Sequence, residues 1–464
     1  MNKMKNCIVV GGGICGIFSS ILLASKFEKV YVVDTDIKCG GLLRSIQDDK
    51  GIFYDQGPHI PNTTLIPEID DVIFGLEHER KNEWNELHIL KTGNYSNGVW
   101  NLDTQLVDSR NLPLELYKKG VFEILTRTES SNSSDISNYL KQTIGPTFSE
   151  ELIFPILRKL YGDDINLESL ESNIPTNYFG LKRILCLNPE ITNKLKELKA
   201  FDEKLGFHLV ENFSNQMKNI CNEQEKYYYP KDKKGIQYLI DMLVAEAKEK
   251  GVIFLMQENI QKIIHKNNII ESVILGKSKN QLDCDFLFWT APPIFALKAA
   301  GLEVKKANIN LRTSNIFHFN FKQPILNNES HYLWNWDPSF KSFRITLFPN
   351  LKIHDNNTDI FNLSVEVLSN RDDADLITSS HIVNELKEIN LIADDATIAS
   401  HARQIIHNTF PVPTFEFSSS SKKNYKYLAE AFKNICISGR FGGKDWTQND
   451  VLKGAHNEIK KRFF

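Results

Sequence analysis

The sequence predicts an α/β protein in which a discontinuous Rossmann-like dinucleotide-binding domain carries an inserted α+β substrate domain. Three observations predict it. Residues 7–16 read Cys-Ile-Val-Val-Gly-Gly-Gly-Ile-Cys-Gly, an apolar strand running into a Gly-x-Gly-x-x-Gly turn. A helix, strand, hairpin and strand follow far downstream, between Tyr228 and Pro293. A third piece begins with the strand Ile435-Cys-Ile-Ser-Gly439 and closes with a helix over Val451 to Lys461. At 464 residues the chain exceeds one ordinary core, so two domains or one domain with a large insertion are expected.

The first element is a strand from Cys7 to Val10 that turns sharply into a helix. Gly11 allows the bend, Gly13 lets the backbone approach a pyrophosphate, and Gly16 lets the helix pack on the sheet. The amides at Ile14 and Cys15 open the helix, and its unpaired N–H groups and partial positive charge favour an anionic diphosphate without a lysine. Ile14, Ile17, Phe18 and Ile21 recur at helical spacing and form the face toward the sheet. Val30 to Val33 is the second strand. Asp34, with Thr35 beside it, ends that strand where a carboxylate accepts ribose hydroxyl protons and repels a 2'-phosphate. A lone glycine motif is weak, but here strand, helix, second strand and acid are in register.

Downstream, Gly235 precedes a helix whose apolar face is Ile236, Leu239, Ile240, Leu243, Val244 and Ala247, and Gly251 stops it. A strand over Val252 to Leu255, a hairpin-like stretch from Ile260 through Ile274, and Phe286-Leu-Phe-Trp-Thr290 complete the block. Near the carboxyl end, Asn449 and Asp450 are candidate N-caps for the last helix, whose amides would point at a ligand. The dinucleotide domain is therefore expected over 1–75, 226–303 and 406–464. The substrate domain is expected over 76–225, largely helical, and 304–405, where strands alternate.

Net charge is −3 with dispersed basic residues, so no nucleic-acid footprint is present. No apolar run reaches the ~18 residues of a membrane span, and a soluble, cytoplasmic protein without an integral membrane segment is expected. Seven cysteines, Cys221 among them, are scattered without C-x-x-C spacing, which suggests buried thiols and neither a zinc site nor a disulfide framework. Cys15 and Cys39 read as small apolar fillers.

Asp34-Thr-Asp-Ile-Lys-Cys-Gly-Gly-Leu-Leu-Arg44 resembles the extension found in flavoproteins of the amine oxidase, protoporphyrinogen oxidase, phytoene desaturase and UDP-galactopyranose mutase group. The resemblance implies FAD, with Gly40, Gly41, Leu42 and Arg44 at the diphosphate and flavin side. It also implies a backbone amide at Ile260 meeting the adenine, Thr290 at the adenine-side strand end, and Gly439, Arg440, Asn449, Asp450 and Val451 as the closing FAD motif. Several stretches resemble the mutase branch: Gly57-Pro58-His59-Ile60, with the His against the flavin ring; Phe343-Arg344-Ile345; and Phe410-Pro-Val-Pro413. Departures are equally plain. The mutase tyrosines are replaced by Lys444 and, one step further, Trp446, and the acid following its Arg-Ile pair by Leu347 or Phe348.

The resemblance implies a flavin-dependent oxidoreductase acting on an unidentified small molecule, with His59 and Arg344 as candidate catalytic residues. A UDP-galactopyranose mutase-like isomerase using reduced flavin on a nucleotide sugar is the alternative; there Arg344 and Arg440 would grip a diphosphate by bidentate forks. A dinucleotide-binding scaffold without turnover is a third reading. Trp334 and Trp336 are candidates for the cavity wall or for an exposed loop. Oligomeric state is not legible in the sequence.

Overall fold

Strand β1 (Met4–Val10), helix α1 (Ile14–Leu23) and strand β2 (Phe27–Asp34) form the opening unit of a computed structural model. The structure describes residues 3–75, 79–173, 177–209, 225–351, 360–440 and 445–464. Cys221 and Lys444 lie outside the described residues. Next come β3 (Thr92–Ser96), β4 (Val99–Asn101), and helices α2 (Leu114–Thr126), α3 (Ile136–Thr143) and α4 (Phe154–Tyr161). Helix α5 (Gln237–Glu249) leads into β5 (Ile253–Met256), β6 (Ile260–Lys266), β7 (Ile269–Leu275), β8 (Gln281–Asp283) and β9 (Phe286–Trp289). Then follow β10 (Leu311–Phe321), β11 (Tyr332–Asn335), β12 (Ser342–Leu347), β13 (Phe361–Ser369) and β14 (Ile398–Pro411). Helix α6 (Phe415–Ala431), β15 (Ile435–Ile437) and helix α7 (Gln448–Phe463) close the chain.

Five strands gathered from three separated stretches make one parallel sheet in the order β5-β2-β1-β9-β15. Cys7 is centred between Val30 and Phe286, and Leu287 pairs with Ile435. β1 and β9 are covered on both faces, which explains their unbroken apolar runs: Cys7, Ile8, Val9, Leu287 and Phe288 have no exposed surface. Each such side chain contributes on the order of 1.5–3 kcal/mol of burial. Helices α1, α5 and α7 pack on one face through Ile17, Phe18, Leu239, Leu243 and Leu452, while the antiparallel β6-β7-β8 sheet lies on the other side.

Seven further strands form a sheet in the order β14-β10-β13-β12-β11-β3-β4, antiparallel except where β11 meets β3. Alternate residues of β10 and β13, such as Phe317, Phe319, Val365 and Val367, form its apolar core. Helices α2, α3 and α4 share a separate core with Trp334, Trp336 and Phe343 of this sheet. Strand β14 crosses the expected 405/406 boundary unbroken, with a register shift between Ser314 and Arg312 of β10 before Pro411 pairs with Leu311. Trp334 and Trp336 are buried and stacked at 4.6 Å within the core they share with α2, α3 and α4, so they are not exposed loop aromatics.

Candidate functional site

The glycine turn is built against the end of β9. Gly11 has φ +110°, and a Cβ there would run into Thr290 Oγ1. Thr290 itself is committed to the fold: its hydroxyl donates to the Val10 carbonyl at 2.7 Å and its amide to the same oxygen at 3.0 Å. A Cβ on Gly16 would strike the Gly11 carbonyl, so helix and turn touch backbone to backbone. Gly13 differs. A Cβ there meets nothing within 4 Å, and no side chain caps the helix that Gly13 opens. Open space over an uncapped helix mouth is what a diphosphate requires.

Gly12, which the sequence reading passed over, is equally constrained. Its amide donates to Asp34 Oδ2 at 2.5 Å, and any Cβ would press on that carboxylate. Asp34 Oδ1 accepts the Asp36 amide at 2.7 Å, so two backbone donors fix the carboxylate. Gly40 (φ +128°) donates its amide to the Gly12 carbonyl at 2.8 Å, and Gly41 (φ +56°) lies against Gly13. The paired glycines thus form a roof one backbone thick over the turn, with Leu42 partly exposed beyond it. Arg44 pairs with Asp36 at 3.2 Å, so its charge is directed to the Asp34 side of the turn. Cys15 is buried 3.8 Å from Ser438 Oγ, and burial pushes its thiol up to about 12; Cys39 is raised to about 11 by burial and Asp34. Neither is a ready thiolate.

Beside the turn opens a cleft of about 610 Å³. Gly11, Asp34, Thr35 and Ile260 line it, together with Trp289 and Lys298, so the expected ribose and adenine residues face one space. At the other end, Gly439 (φ +88°) packs on Thr290, which therefore spaces two glycine turns. The last helix begins earlier than expected. Its N-cap is Thr447, and Asp450 is the third helical residue of a capping box: Thr447 Oγ1 accepts the Asp450 amide at 3.2 Å, and Asp450 Oδ2 accepts the Thr447 amide at 3.2 Å. The Val451 amide bonds to the Thr447 carbonyl, and its side chain is buried in the core. Asp450 and Val451 are therefore spent on the helix start, and the amides of Gln448 and Asn449 sit at its mouth. Gln448 Nε2 and Asn449 Oδ1 are buried there without a hydrogen-bond partner, while Asn449 Nδ2 donates to the Thr63 carbonyl at 3.0 Å. Orphaned polar atoms at a helix mouth fit a polar ligand lying across it.

Beyond this mouth lie His59, Arg344 and Arg440. Gly57 (φ +121°) approaches Glu366, and the His59 amide donates to the Gly57 carbonyl at 2.8 Å, closing a tight turn around Pro58. Arg344 on β12 donates bidentately to Glu366 of β13, Nε to Oε1 at 2.6 Å and Nη2 to Oε2 at 2.8 Å. Its guanidinium also faces Trp334 at 5.3 Å. Arg440 lies 3.7 Å over the Trp446 ring. Burial, then the charges of Arg344 and Arg440, hold His59 down to about 3, so the imidazole is neutral at ordinary pH. Burial and Arg344 lower Arg440 to about 10, where it is still cationic. Phe179 and Phe410 stack at 5.7 Å and bridge Trp334 to Trp446, at 5.3 Å and 6.3 Å. The sequence reading missed Glu366 and Phe179; nothing local marks either, because each matters through a partner far away in the chain.

An α/β protein with a Rossmann-like dinucleotide-binding domain is thus defined, and comparisons agree. Residues 9–71 match the family of NAD(P)-binding Rossmann-like domains. The chain is 22% identical over 276 residues to coproporphyrinogen III oxidase of Staphylococcus aureus (strain NCTC 8325 / PS 47), covering 56% of this chain and about half, 55%, of that protein. It is 20% identical over 372 residues to 1-hydroxycarotenoid 3,4-desaturase of Flavobacterium sp. (strain P99-3), covering 78% and 72%. The crystal structure of reduced UDP-galactopyranose mutase superposes with a TM-score of 0.72 at 13% identity, over 99% of this chain and 95% of the other. At these identities the likeness shows a shared fold, an α/β chain with a Rossmann-like domain.

Proposed function

We propose that this protein binds FAD and is a flavin-dependent oxidoreductase acting on a small molecule held between His59, Arg344 and the aromatic wall. What supports the reading is the open space at Gly13 over the uncapped mouth of α1, with the Asp34–Ile260 cleft beside that turn and orphaned polar atoms of Gln448 and Asn449 at the mouth of α7. Bound there, FAD supplies hydride acceptance from a C–H bond. The protein's part is to bind, orient and exclude water. Gly13 and the α1 amides receive the diphosphate, Asp34 the ribose, and the Gln448 and Asn449 amides the flavin end. Residues 1–75, 226–303 and the chain after β14 form the binding domain in this reading. His59, being neutral, orients the ring and moves no proton of its own.

The mutase-like alternative draws on two arginines near one another, but Glu366 already occupies the fork of Arg344. Purified protein should be yellow, and mass analysis of the released cofactor should give FAD. Anaerobic mixing with amines, porphyrinogens or polyenes should bleach the flavin for one class. If instead UDP-sugars bind after dithionite reduction and no donor bleaches the flavin, the isomerase reading replaces this one.

A further inference from the structure

We propose that the chamber bounded by His59, Arg344, Arg440 and the rings from Trp334 to Trp446 takes a flat, apolar substrate carrying a single carboxylate, and that Arg440 receives that carboxylate while Arg344 does not. The inference rests on the chamber being the substrate site of the flavoprotein read above.

The argument is one of charge and shape. Arg344 and Glu366 cancel: the bidentate contact uses the planar edge that would otherwise grip an anion, and Glu366 is 4% exposed. His59 carries no charge at neutral pH. Arg440 is the remaining cation of this group, and no carboxylate among the described residues forms an ion pair with it. A cation crowded by protein and lacking a counter-charge is costly unless a ligand supplies one. The group therefore holds one uncompensated positive charge, which matches a carboxylate and is too little for a diphosphate. Stacking on Trp446 leaves the guanidinium edge free to donate two parallel hydrogen bonds.

The shape follows from the rings between the two arginines. Trp446, Phe410, Phe179 and Trp334 run as a continuous aromatic surface from Arg440 to Arg344. Phe179 is held in place by an uncommon backbone: Tyr178 and Phe179 lie consecutively at φ +52° and +56°. Four rings in sequence favour a ligand with π-faces or a flat unsaturated skeleton.

The test uses full-length holoprotein of measured FAD content, titrated with cinnamate and separately with inorganic pyrophosphate, read by calorimetry and by the flavin absorption band. Cinnamate should bind and shift the band, and pyrophosphate should do neither. Arg440→Gln should weaken cinnamate binding by about tenfold or more at unchanged FAD content, and Arg440→Lys by less. Glu366→Gln, which frees Arg344, should admit pyrophosphate. Pyrophosphate binding to the unmodified protein as tightly as cinnamate, or unaltered cinnamate affinity in Arg440→Gln, overturns the proposal. Loss of FAD in Arg440→Gln overturns it as well, by making Arg440 a cofactor contact. A colourless protein that takes up no FAD but binds cinnamate through Arg440 would sink the flavoenzyme reading and leave the carboxylate site standing.

Discussion

Gly13 and Gly16 stand three residues apart in one motif, yet the structure gives them opposite sensitivities. Gly13 opens α1 with ordinary extended geometry and free space beyond its Cα. Aspartate is a good N-cap, so Gly13→Asp should leave the apoprotein as stable as before, or more stable by roughly a few tenths of a kcal/mol. The same carboxylate would face the diphosphate, so FAD retention should be lost. At Gly16 the added methyl meets the Gly11 carbonyl, and Gly16→Ala should destabilise the fold by about 1–3 kcal/mol. Thermal melts of apoprotein with FAD content measured alongside check both; equal melting temperatures for the two variants would refute the distinction.

Among elements, α7 and the β12–β13 pair connect fold to site. Thr447 caps α7 and holds Asp450 in a reciprocal box, so Thr447→Ala should cost about 1 kcal/mol and loosen cofactor binding, because the Gln448 and Asn449 amides depend on that first turn. Urea titration and an FAD dissociation rate measure the two effects. On the facing strands, Glu366→Ala leaves the Arg344 guanidinium without its partner in a crowded site. A loss of about 3 kcal/mol is expected, against less than 1 kcal/mol for a pair in water. A double-mutant cycle with Arg344→Met isolates the pair term.

For the whole molecule, the large sheet adds a pH dependence of the same sign as the one His59 carries at the site. His318, without exposed surface between Ser364 Oγ at 2.7 Å and Gln404 Oε1 at 3.0 Å, is held down to about 4 by burial. His331, accepting the Lys91 amide at 3.1 Å, is held to about 4 by burial and Lys91. Both depart downward from 6.5. Between those values the unfolded chain binds more protons than the folded one, so stability falls as pH drops from about 6.5 toward 4 and is flat above. Each imidazole adds a slope of up to about 1.4 kcal/mol per pH unit, and His318→Gln should remove one share. Chemical denaturation at pH 7, 6 and 5 measures it; an unchanged slope in His318→Gln would contradict the assignment.

The sequence by itself determined the glycine turn, the first parallel strands and the acid that ends the second of them, because each depends on neighbours within one β-α-β unit whose periodicity and glycine spacing are local. It also pointed to Gly57 to His59, Arg344 and Arg440 as separate candidates, through short motifs. Only the tertiary structure decided what these residues meet. Glu366 neutralises Arg344 from a strand 22 residues on, Phe179 and Phe410 close the aromatic wall from different layers, and Thr447 displaces Asp450 as the cap. Strand pairing and charge cancellation are set by residues far apart in sequence, and no local pattern records a partner that folding alone brings within reach.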